Sequence, residues 1–319
     1  MALLSINNLS IHYRAGEGIV KAVQGVSLSL EPKQTLGLIG ESGCGKSTIA
    51  MTLLRLLPSN AVVQAGAVML ENRDLLTMDA AELRQIRGAR IAMVFQGAMN
   101  AFNPVRRLSS QIVEGIRLHR PEIDRTQALN KAAGLFDLVG IGAGRVHDYP
   151  HQLSGGMKQR AMIAMALSCD PELVIADEPV TALDVMIQAQ IIELLKDLRR
   201  KMGLTLILIT HDLSVVMEAC DSVAVMYGGR LMETADIGRP FKHPYTQKLF
   251  QAFPNIEKSR DISWGIPGVP PDLIRPPQGC PFAPRCDAAF TQCRKKMPPM
   301  VALAPNHQVC CHLYLEDQL

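Results

Sequence analysis

Apolar positions along the chain follow two rhythms. Near the N-terminus, Leu3–Tyr13 and Val20–Leu30 partly alternate apolar with polar residues, as strands with one wet face do. Further on, Thr35–Ile39, Ile91–Phe95, Leu173–Ala176, Thr205–Ile209 and Ser222–Met226 are short and almost continuously apolar. Runs of that kind suit strands covered on both faces, in a parallel sheet flanked by helices. One covering helix is explicit. Ile187, Ile191, Leu194, Leu195 and Leu198 keep helical spacing, with Glu193, Lys196, Asp197, Arg199 and Arg200 on the other side. Between Gly97 and Ser168 the pattern is mostly helical with Gly and Pro breaks, which predicts an inserted helical subdomain. The expected fold class is α/β, with a mostly parallel core sheet and an N-terminal antiparallel sheet.

Proline and cysteine change the picture at the C-terminal end. Residues 254–319 hold 11 of the 20 prolines and no long periodic segment. A compact domain over 1–253 followed by a loop-rich extension over 254–319 is expected. Five of the eight cysteines, Cys280, Cys286, Cys293, Cys310 and Cys311, lie in that extension. No apolar stretch reaches the roughly 18 residues that span a bilayer. The start, Met1 to Ser5, lacks a basic segment and a small-residue cleavage site. The chain is therefore expected to be cytoplasmic, reaching a membrane only through partners. Reduced thiols clustered in a cytosolic chain read as a metal site before they read as disulfides. With 48% hydrophobic and 20% charged residues, bulk disorder is excluded. A net charge of only +3 argues against a nucleic-acid binder held mainly by phosphate neutralisation.

The strongest local signal is Gly40-Glu41-Ser42-Gly43-Cys44-Gly45-Lys46-Ser47-Thr48, a full G-x-x-x-x-G-K-[ST] match between a buried strand and a helix. Its glycines let the backbone wrap phosphates, and the helix start supplies aligned N–H donors. Lys46 would reach the β- and γ-phosphates, and the Ser47 hydroxyl would ligate Mg²⁺. Cys44 within it reads as a tolerated variable position. About 130 residues on, Leu173–Ala176 runs into Asp177 and Glu178. Asp177 at a strand end can hold Mg²⁺ through water, and Glu178 can polarise an attacking water.

Further motifs fall in a fixed order. Leu153-Ser154-Gly155-Gly156-Met157-Lys158-Gln159-Arg160 resembles the LSGGQ-type signature of ATP-binding cassette (ABC) ATPases. Gln96 resembles that family's Q-loop glutamine, Ala182-Leu183-Asp184 its D-loop, His211 its switch histidine, and Tyr13 the aromatic residue that stacks on adenine. The resemblance implies that Ser154, Gly155 and Gly156 address the γ-phosphate held by the opposite subunit, so that two ATPs lie between two ATPase domains. It implies that Gln96 senses Mg²⁺ and the attacking water, and that His211 stabilises the transferred phosphoryl charge. The implied partners are a second ATPase subunit (a sibling chain or itself), two transmembrane permease subunits and, indirectly, an extracytoplasmic solute-binding protein, but no nucleic acid. The implied location is the cytoplasmic face of the inner membrane. One departure stands out: Val180 occupies a position where the family usually has Ser or Thr. A soluble ABC ATPase acting on nucleic acid or ribosomes, and a non-hydrolysing nucleotide sensor, are the rival readings.

Two segments resemble one branch, the oligopeptide/dipeptide/nickel importer ATPases: Phe95–Val105 after the Q-loop, and the cysteine-bearing tail with His243-Pro244-Tyr245-Thr246 before it. Peptide, nickel, opine and oligosaccharide cargo are all compatible with it. The cysteine spacing is C-x5-C-x6-C-x17-C if Cys311 is the fourth member. In that branch four cysteines are associated with a [4Fe–4S] cluster, and the resemblance favours Cys280, Cys286, Cys293 and Cys311 over Cys310. A structural Zn²⁺ and unligated cysteines remain the alternatives. With the phosphate site confined to residues 13–211, the extension is expected to act as a staple apart from it.

Overall fold

The computed structural model describes residues 2–97, 101–181, 183–251 and 266–315. Residues 98–100 of the post-Q-loop stretch, Ala182 and the expected 253/254 boundary lie outside the described residues. The chain opens with β1 (Leu4–Ala15), β2 (Gly18–Leu30) and β3 (Thr35–Ile39), which leads into α1 (Lys46–Leu53). Then come β4 (Ala61–Leu70), a short β5 (Arg73–Asp74), α2 (Ala80–Ile86) and β6 (Ile91–Val94). Three helices, α3 (Leu108–His119), α4 (Arg125–Leu138) and α5 (Gly155–Ala166), precede β7 (Leu173–Asp177), α6 (Val185–Met202) and β8 (Thr205–Ile209). They are followed by α7 (Leu213–Ala219), β9 (Ser222–Tyr227), β10 (Arg230–Asp236) and α8 (Pro244–Gln251). The extension carries α9 (Thr291–Lys295), β11 (Val301–Ala304) and β12 (His307–Val309).

Two compact units emerge, one of Met1–Leu30, Leu36–Leu76 and His211–Leu319, the other of Glu31–Thr35 and Thr77–Thr210. In the first, β2-β1-β4-β5 form an antiparallel sheet. The alternation there is only partial because β1 is bulged. Leu4 and Ile6 are buried, then Leu9 and Ile11, and the register shifts between Ile6 and Leu9, where Asn8 adopts φ 48°. A bulge adds one residue and flips the buried set from even to odd numbers. This unit also holds strands in the order β11-β12-β10-β9-β3, with β3 parallel to β9. The extension is thus less loop-like than its composition predicts. Its hairpin pairs Val309 with Glu233 of β10 and turns at Asn306, φ 57°. Strands of four and three residues are too short to show a period.

In the second unit β6, β7 and β8 pair in parallel, and every residue of the three is buried, as continuous apolar runs require. The helical stretch appears as α3, α4 and α5. Asp124 starts α4 with a capping box to Gln127, a reciprocal closure of two orphan donors. In α6 the apolar face (Ile191, Leu194, Leu195, Leu198) is buried, and the helix ends on left-handed Gly203.

Candidate nucleotide site and cysteine cavity

The loop after β3 is shaped by what its glycines approach. At Gly40 (φ 148°) a Cβ would lie 2.1 Å from the Met226 carbonyl oxygen, and at Gly45 (φ 106°) one would lie 2.5 Å from that of Ala22. Neither position admits a side chain. Gly45 starts α1 with no side-chain cap and no acidic residue in the first turn. The helix thus presents its N-terminal dipole and backbone donors to the loop, the arrangement that receives phosphate. The Lys46 ammonium is buried and donates to the carbonyls of Gly40 (2.7 Å) and Glu41 (3.1 Å). Ser42, Gly43 and Ser47 are exposed. Tyr13, brought over by β1, donates its hydroxyl to Thr48 Oγ1 at 3.2 Å, so the adenine-stacking candidate sits against the phosphate-loop helix. The Cys44 thiol is buried and pushed up by desolvation, against the pull of Lys46. It stays protonated and is no nucleophile.

The second unit assembles the remaining phosphate-related candidates except His211. Asp177 ends β7 and is buried; Glu178 follows in the left-handed region, φ 49°. Strain of that kind, of order 1–3 kcal/mol, persists where surroundings impose it. Here the Glu178 N–H donates to Ile209 O (2.9 Å), and Thr181 Oγ1 donates to Glu178 Oε2 (2.7 Å). Val180, the departure from the family pattern, is buried, and its carbonyl accepts from Gln188 Nε2, so its side chain serves packing. Ser154 caps α5 by accepting from Met157 N. Gly155 and Gly156 form its first turn, within contact range of Leu183 and Ile187, and Asp184 caps α6 through Ile187 N. The signature and D-loop candidates are therefore neighbours. Gln96 is exposed after β6. His211, assigned to the first unit, is exposed just before α7.

Cys280, Cys286, Cys293 and Cys311 line one small, partly open cavity of about 20 Å³, together with His243 and His312. Cys310 is not among the lining residues; its Sγ donates to Pro298 O at 3.2 Å. Burial pushes Cys280 up to about 12 and Cys311 up to about 11, with neighbouring thiols adding to the shift. Burial likewise lowers His243 to about 4, keeping it neutral. His312 Nδ1 is buried with no hydrogen-bond partner among the described residues. Among those residues no three His, Cys, Asp or Glu side chains converge tightly enough to hold a metal ion. The thiols surround a volume; they do not meet at a point.

Sequence reading missed a group of residues that binds the extension to the phosphate loop. The Glu41 N–H donates to the Tyr245 hydroxyl (3.0 Å), and Arg285 Nη1 lies 2.8 Å from Glu41 Oε2 and 2.9 Å from the Tyr227 hydroxyl. Tyr227, Tyr245 and Phe282 form a buried aromatic cluster beneath, with ring centroids 4.5–5.3 Å apart. The loop's surroundings thus extend beyond residues 13–211, contrary to expectation. Tyr245 stood in a stretch the branch resemblance picked out, but no sequence signal links Arg285 to Glu41, 244 residues away.

Comparison with known proteins identifies the family. Residues 23–181 match the sequence family described as ABC transporter, and residues 231–293 match the oligopeptide/dipeptide transporter C-terminal region. A probable peptide ABC transporter ATP-binding protein of Sinorhizobium fredii is 45% identical over 316 residues, covering 97% of this chain and 94% of its own. The dipeptide transport ATP-binding protein of Escherichia coli is 42% identical over 322 residues, covering 99% and 98%. Among solved structures, a dimeric ATP-binding cassette in a post-hydrolysis state with ADP and Pi superposes with a TM-score of 0.66 at 27% identity, covering 75% of this chain and all of that one. The chain belongs to the ATP-binding subunits of ABC transporters, in their oligopeptide/dipeptide branch.

Proposed function

We propose that the chain hydrolyses MgATP at a site shared by two ATPase subunits, and thereby energises import of a peptide or related small solute through two membrane subunits. The observation that carries the hydrolytic reading is Glu178, whose backbone is held in the left-handed region and whose carboxylate accepts from Thr181, directly after the buried Asp177. In this reading Glu178 takes a proton from the attacking water and His211 stabilises the transferred phosphoryl group. Ser47, Gln96 and, through water, Asp177 would hold Mg²⁺, which supplies charge neutralisation on the phosphates. Lys46 would leave the carbonyls of Gly40 and Glu41 for the β- and γ-phosphates, while the backbone of Gly40 to Thr48, including Ser42, Gly43, Cys44 and Gly45, cradles them and Tyr13 stacks on adenine.

Support for a shared site comes from the surface beside the signature. Val185 and Met186 are 78% and 73% exposed at the start of α6, next to Asp184, and apolar exposure of that kind marks contact with another protein. Ser154, Gly155 and Gly156 there would donate to the partner's γ-phosphate. Phe95, Val105 and Leu118, exposed apolar residues at and after the Q-loop candidate, are what this reading assigns to contact with the membrane subunits, with the chain peripheral at the cytoplasmic side and the solute-binding protein across the membrane. The rival readings, action on nucleic acid and nucleotide sensing without hydrolysis, find no favouring feature beside the peptide-branch extension and an intact Glu178.

For the extension we infer thiolate ligation of a cofactor by Cys280, Cys286, Cys293 and Cys311. Four thiols that line one cavity without meeting at a point, together with the branch resemblance, support a [4Fe–4S] cluster over one Zn²⁺, which would need every sulfur at about 2.3 Å. Ligation would reverse the upward thiol shifts, because a cation in the cavity favours the thiolate. The test of the hydrolytic reading is Glu178→Gln in the assembled transporter. It should retain ATP, trap a closed dimer and lose steady-state turnover; turnover near the wild-type rate would refute the role.

A further inference from the structure

The phosphate loop of this chain carries a carboxylate of its own. Glu41 is the first residue after Gly40, and its carbonyl is one of the two that hold the Lys46 ammonium. A negative charge in a loop that receives phosphates repels them unless something compensates it. The compensation comes from the cysteine-bearing extension. Arg285, one residue before Cys286, puts Nη1 2.8 Å from Glu41 Oε2, with side-chain exposures of 6% for Arg285 and 22% for Glu41. Its guanidinium is fixed independently of Glu41. The Tyr227 hydroxyl lies 2.9 Å from Nη1, Ile266 O accepts from Nη2 (2.6 Å), and Pro267 O accepts from Nε (2.8 Å). Tyr245 meanwhile ties down the Glu41 N–H, so both ends of the residue are clamped from C-terminal to the motif core.

We propose that Arg285 is a positioning residue of the nucleotide site: it neutralises and anchors Glu41, and in doing so sets how tightly the phosphate loop takes ATP. The proposal rests on the reading of Gly40–Thr48 as the ATP loop. It makes the two halves of one ion pair act in opposite directions, which a purely structural bridge would not do. Removing Arg285 leaves a partly buried carboxylate uncompensated beside the phosphates. Removing the Glu41 charge leaves a cation there whose other three acceptors keep it in place.

The experiment titrates a fluorescent ATP analogue with Mg²⁺ against the full-length chain and its variants at low and high salt. Arg285→Met should weaken binding about tenfold, Glu41→Gln should tighten it about two- to threefold, and the double variant should bind more tightly than Arg285→Met alone. Arg285→Lys should recover part of the loss, and all differences should shrink at high salt. Cooperative thermal unfolding verifies that each variant is folded. Should Arg285→Met not fold, Glu41→Gln decides: unchanged or weaker binding overturns the proposal. So does a double variant as weak as Arg285→Met. Failure of the underlying reading shows differently, as wild-type and Lys46→Ala chains that bind the analogue equally.

Discussion

A carboxylate at Gly155 separates the two roles of the signature turn. The substitution Gly155→Glu is sterically quiet: a Cβ there meets only Leu183 Cδ2, at 3.8 Å, an ordinary contact. At Gly156 the same change would drive into Ile187 Cγ2 at 2.8 Å and confuse function with packing. Replacing glycine in the first turn of α5 relieves at most about 1 kcal/mol of helix penalty. A negative charge at a helix N-terminus adds about 0.3–1 kcal/mol. The monomer should therefore be as stable as wild type or slightly more so, and should bind ATP through Lys46 unimpaired. In a shared site the outcome inverts. A carboxylate about 4 Å from the partner's γ-phosphate costs about 4 kcal/mol per unit charge at an effective dielectric of 20. That is roughly a thousandfold in closure of the ATP-bound dimer. The assays are urea unfolding, nucleotide titration of the monomer, light scattering of the ATP-bound dimer and phosphate release. Lys46→Ala is the control that loses nucleotide. Phosphate release near the wild-type rate, or loss of monomer affinity equal to that of Lys46→Ala, would refute the shared site.

Serine at Cys280, Cys286, Cys293 or Cys311 should each strip most of the metal from anaerobically purified protein, about four irons per chain for a cubane, while Cys310→Ser keeps it. Metal analysis that shows loss with Cys310→Ser but not with Cys311→Ser would reverse the assignment. Gly40→Ala should destabilise the fold by about 3 kcal/mol or more, because a β-carbon 2.1 Å from Met226 O adds a backbone collision to a strained φ. A loss below about 1 kcal/mol in urea unfolding, with nucleotide binding intact, would show that the loop relaxes.

The motifs that name the family were legible because each is local chemistry. A phosphate loop needs small residues and a lysine at fixed spacing, and strands buried on both faces must be almost wholly apolar, so Thr35–Ile39, Leu173–Ala176 and Thr205–Ile209 read directly. The α6 face read equally well, because helical period exposes one side of eighteen residues. What the sequence could not reveal depends on contacts between distant segments. The β1 bulge at Asn8 blurs the alternation of that strand, and the short strands at 301–309 are held by pairing with each other and, through β12, with β10, which leaves no periodic trace there. Of the two adjacent cysteines, the family pattern favoured Cys311, but spacing alone did not; the path of the backbone is what lines the cavity with Cys311 and takes the Cys310 thiol to Pro298 O. The bridge between Glu41 and Arg285 is the clearest case. An ion pair spanning the chain has no sequence period, and only tertiary packing around Tyr227, Tyr245 and Phe282 brings its two charges together.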